Sequence, residues 1–198
     1  LQNELYRRGI RKSVATVITQ VLVDKNDTAF KSPSKPIGSF MDEAEAKRRE
    51  KDMGWSVVED AGRGWRRVVA SPLPKEVVEL DAVEALIKAG TVVITVGGGG
   101  IPVIDLSDHE YQGVAAVIDK DFASSLLARL IKADLFLIST AVEKVAINFG
   151  KPEQKWLDKM TVAEAKAYLA EGTHFAKGSM APKIQAAITA ITMVPNPM

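Results

Sequence analysis

The chain contains no cysteine and only two histidines, and these absences exclude several kinds of site. Without cysteine there is no disulfide, no thiolate nucleophile and no cysteine-ligated zinc. His109 and His174 lie far apart in the sequence, which does not match the ligand spacing of a histidine-based metal centre. Any chemistry must therefore come from Lys, Asp, Ser, Thr, backbone amides or a cation that a ligand carries.

The sequence also lacks a strong net charge and a long apolar run. Lys and Arg number 26 and Asp and Glu number 25, so the formal net charge is only +1. Such a balance offers no extended surface for nucleic acid or for an anionic membrane. No apolar run reaches the roughly 18 residues that a membrane-spanning helix needs, and LQNELYRRGI does not resemble a signal peptide. We therefore expect a soluble, cytoplasmic protein that binds neither nucleic acid nor membrane.

What is present is organised around TVVITVGGGGIPVI, residues 91–104. Residues 91–96 are rich in Val, Ile and Thr, which predicts a buried parallel strand. Because ligands bind beyond the carboxyl ends of parallel strands, the glycine loop that follows is predicted to hold a substrate through its backbone N–H groups. A tight turn without a ligand is the alternative. The glycines of this loop are Gly97, Gly98, Gly99 and Gly100.

The first part of the chain predicts a strand followed by an inserted subdomain. Residues 13–23, SVATVITQVLV, are dominated by β-branched side chains and predict a central strand. Residues 28–70 differ in composition, since large apolar runs give way to Lys, Arg, Glu and Gly. Within them we expect a charged helix over 42–53 and a hairpin of strands over 55–60 and 66–70. This stretch therefore predicts a small protruding subdomain.

Strands and helices alternate through the rest of the chain. Hydrophobic periodicity predicts four helices. The third of them opens with the capping-box pattern of Thr161 and Glu164. The alternation is typical of a three-layer α/β/α sandwich with a mainly parallel sheet. The predicted helices cover 75–89, 120–132, 161–170 and 179–192, and the predicted strands cover 113–118 and 135–140.

Two lysines lie where phosphate binding would explain them. Lys183 falls in the first turns of the last predicted helix, where Gly178 offers backbone amides. A helix N-terminus favours an anion. A lysine there opposes the helix dipole, so it does not stabilise the helix start. Lys120 and Asp121 follow a predicted strand, at the edge that carries the glycine loop. Asp119 or Asp121 could simply cap the next helix. A carboxylate beside several lysines could also hold their ammonium groups in place.

Three further features leave two interpretations open. Lys35 lies in the Pro- and Ser-rich stretch KSPSKPIGSF, where a surface lysine is as good an explanation as a functional one. In GRGWRR, the side chains of Arg63, Arg66 and Arg67 could clamp an anion, although a solvated basic patch is the simpler interpretation. His174 could touch a nucleotide or be solvated.

Several of these segments together resemble the carbamate kinases of the amino acid kinase family. The segments are VEDAGRGWRRVVASPLP, VGGGGIPVI, AVIDKDFAS, STAVEKVAINFGKPEQ and HFAKGSMAPKIQAAI. The resemblance extends over about residues 1–191. It implies an enzyme that transfers a phosphoryl group reversibly between ATP and carbamate, giving ADP and carbamoyl phosphate, with Mg²⁺ on the nucleotide. It also implies a homodimer and a place in fermentative arginine breakdown.

The resemblance assigns a role to each matching residue. Lys120 and Lys183 would neutralise the transferring phosphoryl group, Asp121 would orient these lysines, and Lys35 would reach in from the subdomain. The four glycines would lie at the substrate and phosphate edge, and residues 141–152 would form the adenine side. No metal ligand in the chain is implied, and such a reaction needs no protein nucleophile. The nucleotide contacts implied are Val145, Ala146, Ile147, Asn148, Gly178, Ser179 and Met180.

The chain also departs from the family pattern. Family members open with a strand and a GGNA-type loop for the ATP phosphates and have a GNGP-type loop for carbamate, and neither sequence occurs here. We therefore interpret residues 1–198 as part of one amino acid kinase domain, with 28–70 inserted in it. Two hypotheses remain: a carbamate kinase seen incompletely, or a non-catalytic truncated remnant that binds nucleotide or a partner chain.

Overall fold

A computed structural model describes residues 1–60, 62–107, 110–176 and 179–192. The chain divides into two compact units, Leu1–Lys120 and Asp121–Met198, which are described separately. In the described part of the first unit the helices are α1 (Gln2–Arg7), α2 (Glu43–Met53) and α3 (Leu80–Lys88). Its strands are β1 (Val14–Thr16), β2 (Gln20–Val23), β3 (Lys35–Met41), β4 (Ser56–Glu59), β5 (Trp65–Val69), β6 (Pro74–Val77), β7 (Val92–Ile94), β8 (Ile101–Asp105) and β9 (Tyr111–Gly113). The second unit is built from α4 (Lys120–Leu130), which starts at the boundary, β10 (Val145–Ile147), β11 (Lys155–Leu157), α5 (Val162–Glu171) and α6 (Met180–Ile191).

The described strands form small sheets of mixed direction. One sheet has the order β6-β2-β8-β9, with β2 and β8 parallel and both outer strands antiparallel to their neighbours. A second pairs β1 with β7 in parallel, while β3-β5-β4 and β10-β11 are antiparallel. The α/β class is confirmed, but the sheet is not mainly parallel, because short connections such as β8 to β9 return the chain alongside itself.

The core of the first unit lies where β2, β6, β8 and α3 meet. Val21 and Val77 pair across β2 and β6 and are 0% and 1% exposed, and Val83 on α3 is fully buried. Each buried valine contributes about 1.5–3 kcal/mol of transfer free energy. In the second unit the core is a cluster on α5, α6 and the segment between them: Ala165, Phe175, Ile184 and Ile188. No helix in the described ranges is both long and apolar enough to cross a membrane.

The predicted strand over 13–23 is wrong in its length, because the structure divides it into β1 and β2. Between them the buried Thr19 bonds through its side chain: its hydroxyl donates to the Val17 carbonyl at 2.9 Å and accepts from the Val96 amide at 3.0 Å. Residues 17–19 belong to neither strand, although the Val17 amide still donates to the Ile94 carbonyl at 2.9 Å. The predicted strand over 91–96 is likewise shortened to β7, and its residues are only partly buried or exposed.

Two other strand predictions, one helix start and the loop predicted at Lys35 are also wrong. Residues 113–118 form only an isolated bridge between Ala116 and Ala70 after β9 ends. Residues 135–140 form no strand, and Leu135 and Leu137 are 77% and 80% exposed. The helix predicted over 75–89 starts only at α3, because the first of these residues belong to β6. Lys35, predicted in a loop, opens β3. A run of apolar residues does not reveal whether a pairing strand is within reach.

Elements with strong local signals are confirmed. The Asp42 carboxylate caps α2 by accepting from the Glu45 amide at 2.8 Å, and Gly54 ends it with φ 63°. On the surface of α2 the predicted pair of Glu43 and Lys47 lies at 2.6 Å. Strands β4 and β5 form the predicted hairpin. These elements depend on neighbours within a few residues, which is why sequence spacing suffices.

The capping box of α5 leads to a prediction about pH. The Thr161 amide and hydroxyl both donate to Glu164 Oε2 at 2.7 Å, and these contacts lower the pKa of the Glu164 carboxyl. A lowered pKa means that the folded state favours the carboxylate, so the contribution is present above the unfolded pKa and is lost as pH falls. Urea unfolding between about pH 6 and about pH 3 should show a smaller loss of stability in Glu164→Gln than in the unaltered chain. Equal losses would contradict this.

Candidate active site

The stretch of Asp119, Lys120 and Asp121 is the centre of the candidate site. The chain reaches it from Ile118, which is 1% exposed, after the Val117 amide donates to the Ala70 carbonyl at 2.9 Å. Lys120 is exposed and is the first residue of α4. The backbone bond to Ala70 therefore ties this stretch to the end of β5, and so to the three-stranded sheet.

Lys35 meets this stretch through Asp119. Lys35 lies opposite Val69 in the pairing of β3 with β5, and Ala70 follows directly on the strand bonded to Val117. This path brings the Lys35 ammonium Nζ within 3.0 Å of Asp119 Oδ2, to which it donates. The lysine side chain is 37% exposed and the carboxylate 18%. The structure thus brings together two residues that lie 84 positions apart.

Lys183 forms an analogous pair with Asp121 inside the second unit. Asp121 lies in the first turn of α4 and is 8% exposed, and Lys183 lies in the first turns of α6. Lys183 Nζ donates to Asp121 Oδ2 at 2.7 Å. This short contact pairs two partly buried groups; that Asp121 orients the catalytic lysines stays a prediction.

The two pairs leave each lysine able to bind an anion. A lysine ammonium has three N–H donors, and a single carboxylate oxygen accepts one of them. The remaining donors of Lys35 and Lys183 can bind phosphate oxygens, and a carboxylate that has already fixed the ammonium lowers the cost of ordering it. Such fixed charges suit a reaction whose transition state carries negative charge on phosphate oxygens.

The four glycines do not have equal roles in their loop. Gly99 and Gly100 have φ of 102° and 81°, and a Cβ on Gly99 would overlap the carbonyl oxygen of Ile118. A Cβ on Gly100 would lie 2.5 Å from a methyl carbon of Val21. Gly97 and Gly98 are exposed, and nothing lies within 4 Å of the position that a Cβ would take on either. Gly99 and Gly100 are thus required for packing, whereas Gly97 and Gly98 leave their backbone accessible.

The exposed side of this loop borders a cleft of about 280 Å³. Gly97 and Gly100 line it together with residues at and just beyond the carboxyl ends of β1 and β7, including Thr16 and Thr95. At its base the Thr19 and Thr95 hydroxyls share a hydrogen bond of 2.6 Å. The geometry is compatible with a small polar ligand held by backbone amides and hydroxyls.

Some of the predicted nucleotide contacts line a second pocket, of about 150 Å³, in the second unit. Ala146, Ser179 and Met180 lie in its wall. Val145 and Ile147 instead pack against the core of α5 and α6, since neighbouring residues of a strand face opposite ways. Asn148 follows β10 with φ 53° and starts the turn toward β11. Gly178 lies outside the described residues.

Comparison with known proteins assigns the family. The sequence pattern of the amino acid kinase family matches residues 13–195. The chain belongs to this family. Among curated members, the carbamate kinase of Thermococcus kodakarensis is 57% identical over 188 residues, which are 95% of this chain and 59% of that protein. The carbamate kinase-like protein YqeA of Escherichia coli is 58% identical over 94% of this chain and 59% of its own length.

A solved structure agrees with the amino acid kinase assignment. Carbamate kinase from Giardia lamblia bound to AMP-PNP superposes with a TM-score of 0.86 and is 43% identical, covering 96% of this chain and 60% of that chain. The chain therefore spans about three fifths of the length of these relatives.

Sequence reasoning missed the aromatic wall of the pocket in this amino acid kinase domain. Phe149 and Trp156 line it and contact each other edge to face, with centroids 6.2 Å apart. Trp156 lies opposite Ala146 in the pairing of β10 with β11, a hairpin that no sequence signal indicated. The sequence did offer a signal, in Phe149 after VAIN and Trp156 before LDK. Exposed aromatics near a short strand are typical of ligand contacts.

His174 and Arg66 are less exposed than the interpretation of solvated side chains predicts, whereas the Arg63 side chain is 62% exposed. The His174 side chain is 10% exposed and lines the pocket that Phe149 and Trp156 also line. Its Nε2 lies 2.7 Å from Glu171 Oε2. Arg63 and Arg66 both bind Asp60, at 2.8 and 3.3 Å, and so lower the pKa of that carboxyl. The arginines are therefore part of ordered contacts within the three-stranded sheet.

Proposed function

We propose that this chain is the part of a carbamate kinase that carries its catalytic lysines, for phosphoryl transfer between ATP and carbamate on one side and ADP and carbamoyl phosphate on the other. The observation that carries the proposal is the presence of two lysine–aspartate pairs attached to one short stretch, at Asp119 and Asp121. The relatives named carbamate kinase support it, at 57% identity for that of Thermococcus kodakarensis.

In the proposed reaction the phosphorus atom moves between two oxygens. In the direction of ATP synthesis, a terminal oxygen of the ADP β-phosphate forms a bond to the phosphorus of carbamoyl phosphate. The bond from phosphorus to the carbamate oxygen breaks, and carbamate leaves as an anion. Lys35, Lys120 and Lys183 neutralise the negative charge on the transferring group, and Asp119 and Asp121 hold the first and last of these lysines in place. Mg²⁺ enters as part of the nucleotide substrate. Positioning and charge supply most of the rate in this class of reaction.

The remaining parts of the proposal follow the family. We assign the phosphates to the exposed amides of Gly97 and Gly98 and the adenine to the pocket that Ala146 and Met180 line. Residues 28–70 would form a protruding lid that carries Lys35. A cytoplasmic homodimer acting in arginine breakdown completes the proposal.

A chimera tests the proposal directly. This chain would replace the matching 188-residue stretch of the Thermococcus kodakarensis carbamate kinase, of which it covers 59%. With carbamoyl phosphate, MgADP and coupled detection of ATP, we expect turnover within the range of about 1–100 s⁻¹ that kinases show. The rest of the relative then supplies the glycine loops that this sequence lacks.

The 198-residue chain alone is the control. We expect it to bind ADP and to form ATP far more slowly than the chimera, because it lacks two loops that position phosphate and carbamate. Full turnover by the chain alone would show that those loops are dispensable. A chimera that binds ADP but forms no ATP would overturn the proposal in favour of a non-catalytic, nucleotide-binding remnant.

A further inference from the structure

A groove of about 560 Å³ opens in the first unit between α2 and the sheet β3-β5-β4. It lies beside the part of β3 where the regular pairing with β5 is interrupted, between Ile37 and Met41. Helix α2 is polar, with Ala46 its buried residue, so it covers this face of the sheet incompletely. The volume falls in the range of about 300–1,000 Å³ that small-molecule sites occupy. None of the residues assigned to phosphoryl transfer lines it.

The carboxylates of the groove are already used within α2. Asp42 caps the helix by accepting from the Glu45 amide at 2.8 Å. The Glu45 carboxylate binds Arg49 at 2.6 Å and Arg48 at 2.6 Å, and hydrogen bonds from Arg49 and then Arg48 lower the pKa of Glu45. Asp42 and Glu45 are thus satisfied, and the charge of Arg49 is compensated by Glu45.

Among the described residues, Arg67 is the cation of the groove that lacks such compensation. Its guanidinium lies 4.6 Å from the centroid of the Trp55 ring, and that of Arg49 lies 4.8 Å from the same centroid. Within the described ranges Arg67 forms no ion pair with a carboxylate, although its side chain is half-buried on β5. The two arginines and two carboxylates of the groove balance in formal charge, but within the described part of the chain the Arg67 guanidinium is left without a carboxylate partner in a partly desolvated site.

We propose that this groove binds a small organic carboxylate. The planar guanidinium of Arg67 matches a carboxylate in a two-point hydrogen-bonded pair, and its position at Trp55 limits the orientations it can adopt. The side chains of Ile37, Phe40 and Met41 provide an apolar surface for the body of the ligand. Since a single guanidinium lacks a carboxylate partner among the described residues and two carboxylates lie nearby, a singly charged anion fits the groove better than a phosphate.

Benzoate and its neutral isostere benzamide provide the test. Both would be titrated into the 198-residue chain, and binding would be followed by the NMR signal of the Trp55 indole N–H, assigned with Trp55→Phe. Benzoate should shift this signal saturably, and benzamide should bind at least about tenfold more weakly, because a charge-assisted hydrogen bond contributes about that much.

Two variants of equal charge change locate the site. Arg67→Gln should weaken benzoate binding at least about tenfold. Lys51→Gln removes the same charge from the exposed side of α2, outside the groove, and should leave binding unchanged. Equal binding of benzoate and benzamide, no saturable shift with either, or unchanged binding in a folded Arg67→Gln would each overturn the proposal. If Arg67→Gln unfolds, the comparison of the two ligands on the unaltered chain still decides.

Discussion

Gly99→Ala is expected to destabilise the chain by roughly 3 kcal/mol or more. A methyl group on Gly99 would overlap the Ile118 carbonyl oxygen, and the residue has φ 102°, a backbone conformation that alanine disfavours. Overpacking a well-packed site costs about 1–3 kcal/mol, and a left-handed backbone at a non-glycine residue costs about 1–2 kcal/mol more. Because Ile118 leads directly into Asp119, the same overlap should disturb the pair that Asp119 forms with Lys35.

Gly97→Ala is the matched control for this prediction. Gly97 lies two residues away in the same loop, its φ is not positive, and nothing lies within 4 Å of the Cβ position. Its stability should change by less than about 1 kcal/mol, and alanine could even stabilise by restricting the unfolded chain. Urea unfolding followed by tryptophan fluorescence measures both variants. Gly99→Ala with unchanged stability would mean that the loop does not pack on Ile118.

Lys183→Ala in the chimera is expected to lower turnover by at least about tenfold to a hundredfold. A charge-assisted hydrogen bond to a phosphate contributes about 1.5–3 kcal/mol, and about 1.4 kcal/mol corresponds to a tenfold change in rate. The variant also leaves Asp121, which is 8% exposed, without the ammonium 2.7 Å away. Initial rates of ATP formation at saturating MgADP and carbamoyl phosphate measure the effect.

Lys166→Ala provides the control for Lys183→Ala. Lys166 is an exposed lysine on α5, and its removal should change neither turnover nor stability appreciably. Thermal unfolding of both variants separates a loss of fold from a loss of chemistry, since the proposal requires a drop in turnover in a protein that is still folded. Unaltered turnover in Lys183→Ala would reduce this residue to a structural partner of Asp121.

The sequence reasoning succeeded where the deciding contacts are local. The capping box of α5, the charged helix α2 and the β4-β5 hairpin all depend on residues a few positions apart, so their spacing predicted them. The family was also readable, because its motifs are short runs such as IDKD and GSMAPK. Asp121 and Lys183, which lie in those runs, are paired with each other in the structure.

Sequence reasoning failed for strands, because pairing partners come from distant parts of the chain. The apolar run over 135–140 has the composition of a buried strand, yet Leu135 and Leu137 are exposed in the structure. The run over 13–23 looks continuous, but in the structure its first half pairs with β7 and its second half with β6 and β8. Hydrophobic composition indicates how much free energy a segment would gain by burial. Whether a strand is present to pair with it depends on the tertiary structure.

The sequence by itself determined the family of this protein, the absence of cysteine-based chemistry, and the helices with local caps. Only the tertiary structure showed that Lys35 meets Asp119, that Gly99 must be glycine because of Ile118, and that Arg67 lies over Trp55 in an open groove. The physical reason is that a residue's type and spacing specify its chemistry and its local backbone. Its charge partner and its steric limits are set by atoms that the fold brings from elsewhere in the chain.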